Sequence, residues 1–178
     1  MGVIELGGVH GVGKSTTIEA AASLVDRPVP ILKGSVIMAR LLGVSTEDLP
    51  SQPPERRHWA REFMFEELHS ARNGVRDSHF CVYTDNGYEF PFTPSDVGLV
   101  DVAVILVASA KTIFERRQRI VRSRPKDMMQ IEEQLHLEQV AAEEAAQKLG
   151  VPLIAINNEQ GDSARFELAE LFEKYLDE

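Results

Sequence analysis

The sequence is short of the residues that would tie it to an oxidising compartment, a membrane or a nucleic acid. Its 178 residues include one cysteine, Cys81, so no disulfide can form within the chain and a reducing compartment is the natural reading. Inside Phe80-Cys81-Val82-Tyr83 that thiol reads as strand packing. No run approaches the ~18 apolar residues a membrane span requires. The opening Met1-Gly2-Val3-Ile4-Glu5 has no basic region ahead of an apolar stretch, so it does not read as a secretory signal. The expected address is cytoplasmic. Positive charge is scarce as well: 19 Lys and Arg against 28 Asp and Glu leave a net charge of −9, which argues against a nucleic-acid partner, because phosphate backbones need a basic face. Internal repeats and low-complexity stretches are absent.

What remains is an ordinary globular composition, 43% apolar and 26% charged, in a length that suits one domain spanning 1–178. Short apolar runs at 3–6, 29–32, 80–84, 100–107 and 151–156 read as strands. The run at 100–107 is nearly continuous, as in a strand buried on both faces. Between them lie helical patterns at 15–24, near 36–42, at 55–72, from a Ser109 cap to about 122, from an Asp127 cap to Gly150, and at 162–176. Strands alternating with helices predict an α/β fold with a five-stranded parallel sheet covered on both faces.

The chemistry enters at the first turn of this pattern. Gly8-Val9-His10-Gly11-Val12-Gly13-Lys14-Ser15-Thr16 satisfies G-x-x-x-x-G-K-[S/T] directly after a predicted strand and at the start of a predicted helix. Glycines let the backbone bend tightly and aim N–H groups at phosphate oxygens, while the helix N-terminus favours negative charge. Lys14 is placed to lie against the β- and γ-phosphates, and the Ser15 hydroxyl to ligate magnesium. A lysine in the first helical turn opposes the helix dipole, and a bound polyanion accounts for it most simply. His10 is a loop-tip residue. Asp85, at the end of the strand predicted over 80–84, is the candidate second magnesium ligand, since a carboxylate at a carboxyl strand edge faces the site in this topology.

A phosphate loop by itself fits kinases, GTPases and mechanical ATPases. Guanine recognition needs Asn-Lys-x-Asp after a late strand, and that place holds Asn157-Asn158-Glu159-Gln160, which argues against a GTPase. Five arginines, Arg116, Arg117, Arg119, Arg122 and Arg124, cluster at the end of one helix and the loop beyond it. Guanidinium groups there suit the charge that phosphoryl transfer spreads over equatorial oxygens. The bland alternative is a basic helix face paired with the chain's excess carboxylates or contacting nucleic acid. Arg116 and Arg119 share one side of the helix by i,i+3 spacing and Arg117 another.

With these residues in place the chain resembles the archaeal-type adenylate kinases, small P-loop nucleoside monophosphate kinases. The resemblance rests on the loop above, on Lys33-Gly34-Ser35-Val36-Ile37, Tyr83-Thr84-Asp85, Arg116-Arg117-Gln118-Arg119 with Arg122 and Arg124, Ile131-Glu132-Glu133, and Asn158-Glu159-Gln160-Gly161-Asp162. It implies a three-layer P-loop kinase fold, ATP and Mg2+, monophosphate-binding helices over about 34–73, and a short arginine-rich lid over about 116–127. It further implies that Asn157 borders the adenine, and that Lys14, Arg116, Arg122 and Arg124 stabilise the transferred group. Trimeric assembly is a further implication. The chain departs from the family at His10, where a proline is usual, and in the acceptor region, where Arg40, Arg56, Arg57 and Arg61 are all candidates to clamp the acceptor phosphate. The rival readings are a kinase of another small acceptor and a P-loop ATPase switch with a protein or RNA partner.

Overall fold

The computed structural model describes residues 2–84, 87–89, 97–119, 127–160 and 162–176. The elements are β1 (Val3–Gly7), α1 (Lys14–Ala22), β2 (Ile31–Lys33), α2 (Gly34–Leu42), a 3-10 turn (Leu49–Ser51), α3 (Pro54–Ser70), β3 (Gly74–Asp77), β4 (Val82–Thr84), β5 (Gly87–Glu89), β6 (Val102–Val107), α4 (Ala110–Gln118), α5 (Met128–Leu149), β7 (Leu153–Asn157) and α6 (Asp162–Tyr175). Five strands form one parallel sheet in the order β2-β3-β1-β6-β7. The phosphate loop therefore leaves the middle strand, at the carboxyl edge where open α/β sheets bind ligands.

Alternation along β6 decides the layers. Val102, Val104 and Leu106 pack with Ile4 and Leu6 of β1 against Ile18 and Ala21 of α1, Ile113 of α4, and Leu168 and Phe172 of α6. Ala103 and Ile105 point the other way, onto Ala141, Ala142, Ala145 and Ala146 of α5 and onto Phe80. Small alanines let the long helix α5 lie close to the sheet. The expected caps are present: Ser109 accepts from the Thr112 N–H, Asp127 accepts from the Met129 N–H, and Gly150 closes α5 with φ 71°.

The third strand of the sheet departs from the sequence reading. Residues 80–84 do not join it; Val82–Thr84 pairs antiparallel with Gly87–Glu89 in a separate two-stranded unit. The sheet position belongs to Gly74-Val75-Arg76-Asp77, which pairs with both β1 and β2. Its sequence did not signal a strand because half of it is charged. Arg76 is nevertheless buried, with its guanidinium 3.5 Å from Glu5 Oε2 on its register partner and donating to the Leu68 carbonyl at the end of α3. A paired and hydrogen-bonded charge is the form in which arginine is tolerated inside a sheet. The second strand is also shifted, to Ile31–Lys33, with the Pro30 carbonyl accepting from Val75 N.

Helices α2 and α3 pack on one another through Ala39, Leu42, Leu49 and Ala60, and through Ile37, Met64 and Leu68. Among the described residues no helix is long and apolar enough to cross a membrane.

Candidate phosphate-binding site

Val9 and Val12 root the loop by burying their side chains in the main core. Around and between them the chain turns through glycines with positive φ: 142° at Gly8, 88° at Gly11 and 100° at Gly13. At Gly13, the residue before α1, a Cβ would lie 2.7 Å from Asn158 Nδ2, so both conformation and space require glycine.

The underside of the loop is held by side chains from distant parts of the chain. Asn158, 3% exposed just beyond β7, donates to the Val12 carbonyl at 2.7 Å and to Thr17 Oγ1 at 3.1 Å. Arg116 reaches the same carbonyl at 2.7 Å and the Asn158 carbonyl at 2.8 Å. Arg117 is 1% exposed; its Nε donates to the His10 carbonyl and its Nη2 to Gln134 Oε1, both at 2.9 Å. With the His10 and Val12 carbonyls held from below, the N-terminus of α1 is the end of the loop suited to an anion.

Glu138, one turn beyond Gln134 on α5 and 2% exposed, completes the support. Its carboxylate accepts from Gly8 N at 2.7 Å, Phe80 N at 2.9 Å and Cys81 N at 2.8 Å. Burial raises its pKa, opposed by those three N–H bonds and by the charge of Lys14. The neighbouring Cys81 thiol is pushed up to about 11, chiefly by burial and then by Glu138. That keeps it protonated and unreactive at neutral pH.

On the open side, Lys14 donates to the Gly8 carbonyl, and its Nζ lies 3.4 Å from His79 Nδ1. The same Nδ1 lies 3.9 Å from Glu138 Oε1. The His79 ring in turn packs against His10, with centroids 4.2 Å apart. The Ser15 hydroxyl donates to Asp77 Oδ2 at 3.0 Å. Asp77 is thus the carboxylate at the end of the third sheet strand, the position from which Asp85 was inferred; Asp85 itself lies outside the described residues. The polar makeup of β3 hid it, although the Asn73-Gly74 turn ahead of Val75 marked where a strand could begin.

The hydroxyl and carboxylate fit a hard divalent cation. Their 3.0 Å separation suits two neighbouring corners of an octahedron with ~2.1 Å bonds. Among the described residues no group of three or more His, Cys, Asp and Glu could hold a metal unaided. The remaining corners would fall to water and phosphate oxygens, which is how Mg2+ prefers to bind.

Other predicted residues distribute as follows. Asn157 is exposed at the end of β7, where its Oδ1 accepts from Glu159 N at 2.9 Å. Glu159 accepts from the Ser109 N–H and hydroxyl and from the Thr112 hydroxyl; the hydrogen bond from the Ser109 side chain leads in lowering its pKa to about 2. The loop after β7 is thereby pinned to the N-terminus of α4. Thr16 is exposed in the first turn of α1. Arg122 and Arg124 lie outside the described residues. Of the acceptor candidates, Arg40 pairs with Glu67, and Arg56 donates to Gln52 Oε1 and to the Leu42 carbonyl, so both serve the packing of α2 on α3.

No protein-family model and no curated protein matches this sequence. Solved structures do resemble it. A shikimate kinase from Acinetobacter baumannii in complex with shikimate superposes with a TM-score of 0.65 at 19% identity, covering 98% of this chain and 92% of that one. A shikimate kinase from Aquifex aeolicus gives 0.62 at 15% identity, covering 97% and 96%. One from Bacteroides thetaiotaomicron gives 0.59 at 19% identity, covering 97% and 98%. At these identities the likeness establishes architecture: the chain has the α/β fold of small P-loop kinases.

Proposed function

We propose that the protein transfers the γ-phosphoryl group of ATP to a nucleoside monophosphate, with AMP as the leading acceptor. The observation that carries this reading is the meeting of Lys14, Ser15 and Asp77 at one carboxyl sheet edge, with the Ser15–Asp77 contact at 3.0 Å. A glycine loop, a buried lysine and a hydroxyl–carboxylate pair are what a bound Mg2+–triphosphate requires.

In this reading the loop from Gly8 to Thr16 holds the triphosphate through backbone N–H groups, and Asn157 borders the adenine. Ser15 and Asp77 would hold Mg2+, which would supply neutralising charge to the bound triphosphate. Lys14 leaves the Gly8 carbonyl to meet the phosphates. Arg116, Arg122 and Arg124 add positive charge as an acceptor phosphate oxygen forms its bond to the γ-phosphorus and the bond to the β–γ bridging oxygen breaks. No protein nucleophile is needed, because positioning and charge stabilisation suffice. The resemblance to archaeal-type adenylate kinases supports a monophosphate acceptor.

A second reading, a small hydroxylated acceptor, is favoured by the names of the solved structures, one of which holds shikimate. One experiment separates the two. A coupled assay with ATP and Mg2+ would be run across the nucleoside monophosphates and shikimate, with Lys14→Ala as control. ADP formation that depends on AMP or another monophosphate and disappears in the control is expected. Turnover with shikimate alone moves the assignment to the second reading, and no acceptor-dependent ADP defeats both.

A further inference from the structure

Lys33 and Asp77 end neighbouring parallel strands and are register partners, so both side chains rise from the same edge of the sheet. Lys33 Nζ stands 3.9 Å from Asp77 Oδ2, the oxygen that also accepts the Ser15 hydroxyl. Its other anionic neighbour is Glu19, with Oε1 at 3.3 Å on a side chain that is 65% exposed. Asp77 is 10% exposed and Lys33 25%. A side-chain ammonium thus stands beside the carboxylate that a divalent cation would use.

The two cations cannot share Asp77 without cost. Like charges a few ångströms apart in a partly desolvated edge repel strongly, far more than in bulk water. A metal seated on Ser15 and Asp77 therefore weakens the hold of Asp77 on Lys33. Glu19 accepts the Lys33 hydrogen bond at 3.3 Å, but as an exposed ion pair it is weakly held. The freed ammonium lies immediately ahead of α2, beside the metal position, where an acceptor must bring its attacking oxygen to the γ-phosphorus.

The geometry points to Lys33 as a cation that exchanges partners: beside Asp77 when no divalent cation is bound there, it turns to the anionic group of the acceptor when one is. This rests on the phosphotransferase reading above. It makes acceptor binding follow loading of the metal–nucleotide, and it selects acceptors that carry a phosphate or carboxylate next to the reacting oxygen.

Two readouts of opposite sign test it. Calorimetry would compare binding of the non-hydrolysable imido analogue of ATP with and without Mn2+, and the ratio of affinities is the contribution of the metal. Lys33→Met, with Lys33→Gln as a second variant against misfolding, is expected to raise that ratio about three- to tenfold, because a competing cation has gone. In steady-state assays the same variants are expected to raise KM for AMP by about tenfold or more, the loss of a charge-assisted contact, with less change in kcat. Lys33→Arg keeps the charge and is expected to stay near wild type in both. General damage to the site would weaken binding with and without metal alike. An unchanged or lower metal ratio overturns the exchange, and a KM for AMP within twofold of wild type overturns the acceptor contact. If the wild type phosphorylates no acceptor, the function fails separately, and the calorimetric ratio still decides the role of Lys33 at Asp77.

Discussion

Replacing Glu138 with alanine would strip the acceptor from three backbone N–H groups at once, those of Gly8, Phe80 and Cys81, whose bonds to the carboxylate measure 2.7 to 2.9 Å. Each buried N–H left without a partner costs about 1–3 kcal/mol. A water entering the vacated space can satisfy up to two of them, so the net loss works out at roughly 2–5 kcal/mol. For a domain of this length that lowers Tm by about 5–20 °C. Glu138→Gln keeps an oxygen for Gly8 and Phe80 but turns an amide donor toward Cys81 N. It also removes the burial cost of a carboxylate, and the two changes largely offset, leaving the variant within ~2 kcal/mol of wild type at neutral pH. The pH dependence separates the variants further. Because the folded pKa of Glu138 is raised above its ordinary 4.5, the folded state binds its proton more readily than the unfolded chain. The contribution of this group is fully present below 4.5 and is lost as pH rises through the folded value. Wild type should therefore gain stability relative to Glu138→Gln as pH falls from neutral toward 4.5. Urea unfolding followed by circular dichroism, with unchanged m-values, measures all of this. An alanine variant within 1 kcal/mol of wild type, or a glutamine variant as unstable as the alanine one, refutes the idea that Glu138 acts as a buried acceptor for the loop.

Two further substitutions probe the loop and the metal pair. Gly13→Ala places a Cβ 2.7 Å from Asn158 Nδ2 at φ 100°; it should lose at least ~1–3 kcal/mol in thermal unfolding and weaken nucleotide binding in calorimetry, and a variant that binds normally would show the loop to be less constrained than argued. Asp77→Asn keeps a hydrogen-bond acceptor for Ser15 but removes the charge. It should raise the Mg2+ concentration needed for half-maximal activity by about tenfold or more while shifting Tm little, and an unchanged Mg2+ requirement would move the metal away from Asp77.

The phosphate loop was legible because its chemistry is local. Tight turns, close backbone approach and a helix start demand particular residues at fixed spacing, and Gly8 to Ser15 carry them within one strand–loop–helix unit. The caps at Ser109 and Asp127 and the stop at Gly150 were legible for the same reason, each being a bond between near neighbours in the chain. The third strand was not. Period and propensity pointed to 80–84, and those residues do extend, but toward a local hairpin partner, whereas Gly74–Asp77 entered the sheet with a charged interior. The Glu5 carboxylate on the adjacent strand and the Leu68 carbonyl make Arg76 acceptable there, and neither can be inferred from a window around residue 76. The strand assignment also bears on the metal site, because Asp85 was inferred from the end of a sheet strand and the described strand ends at Asp77, which meets Ser15.

By itself, then, the sequence determined the α/β class and the glycine-loop unit from Gly8 to Ser15, since both follow from patterns a few residues long. Tertiary structure alone decided which carboxylate meets Ser15, that Arg116 and Arg117 brace the loop's carbonyls, and that Glu138, 130 residues from Gly8, holds the start of the loop. The physical reason is that a charged side chain carries no mark of its partner. Burial, and the hydrogen bonds that make burial tolerable, are set by which strands and helices come to lie side by side.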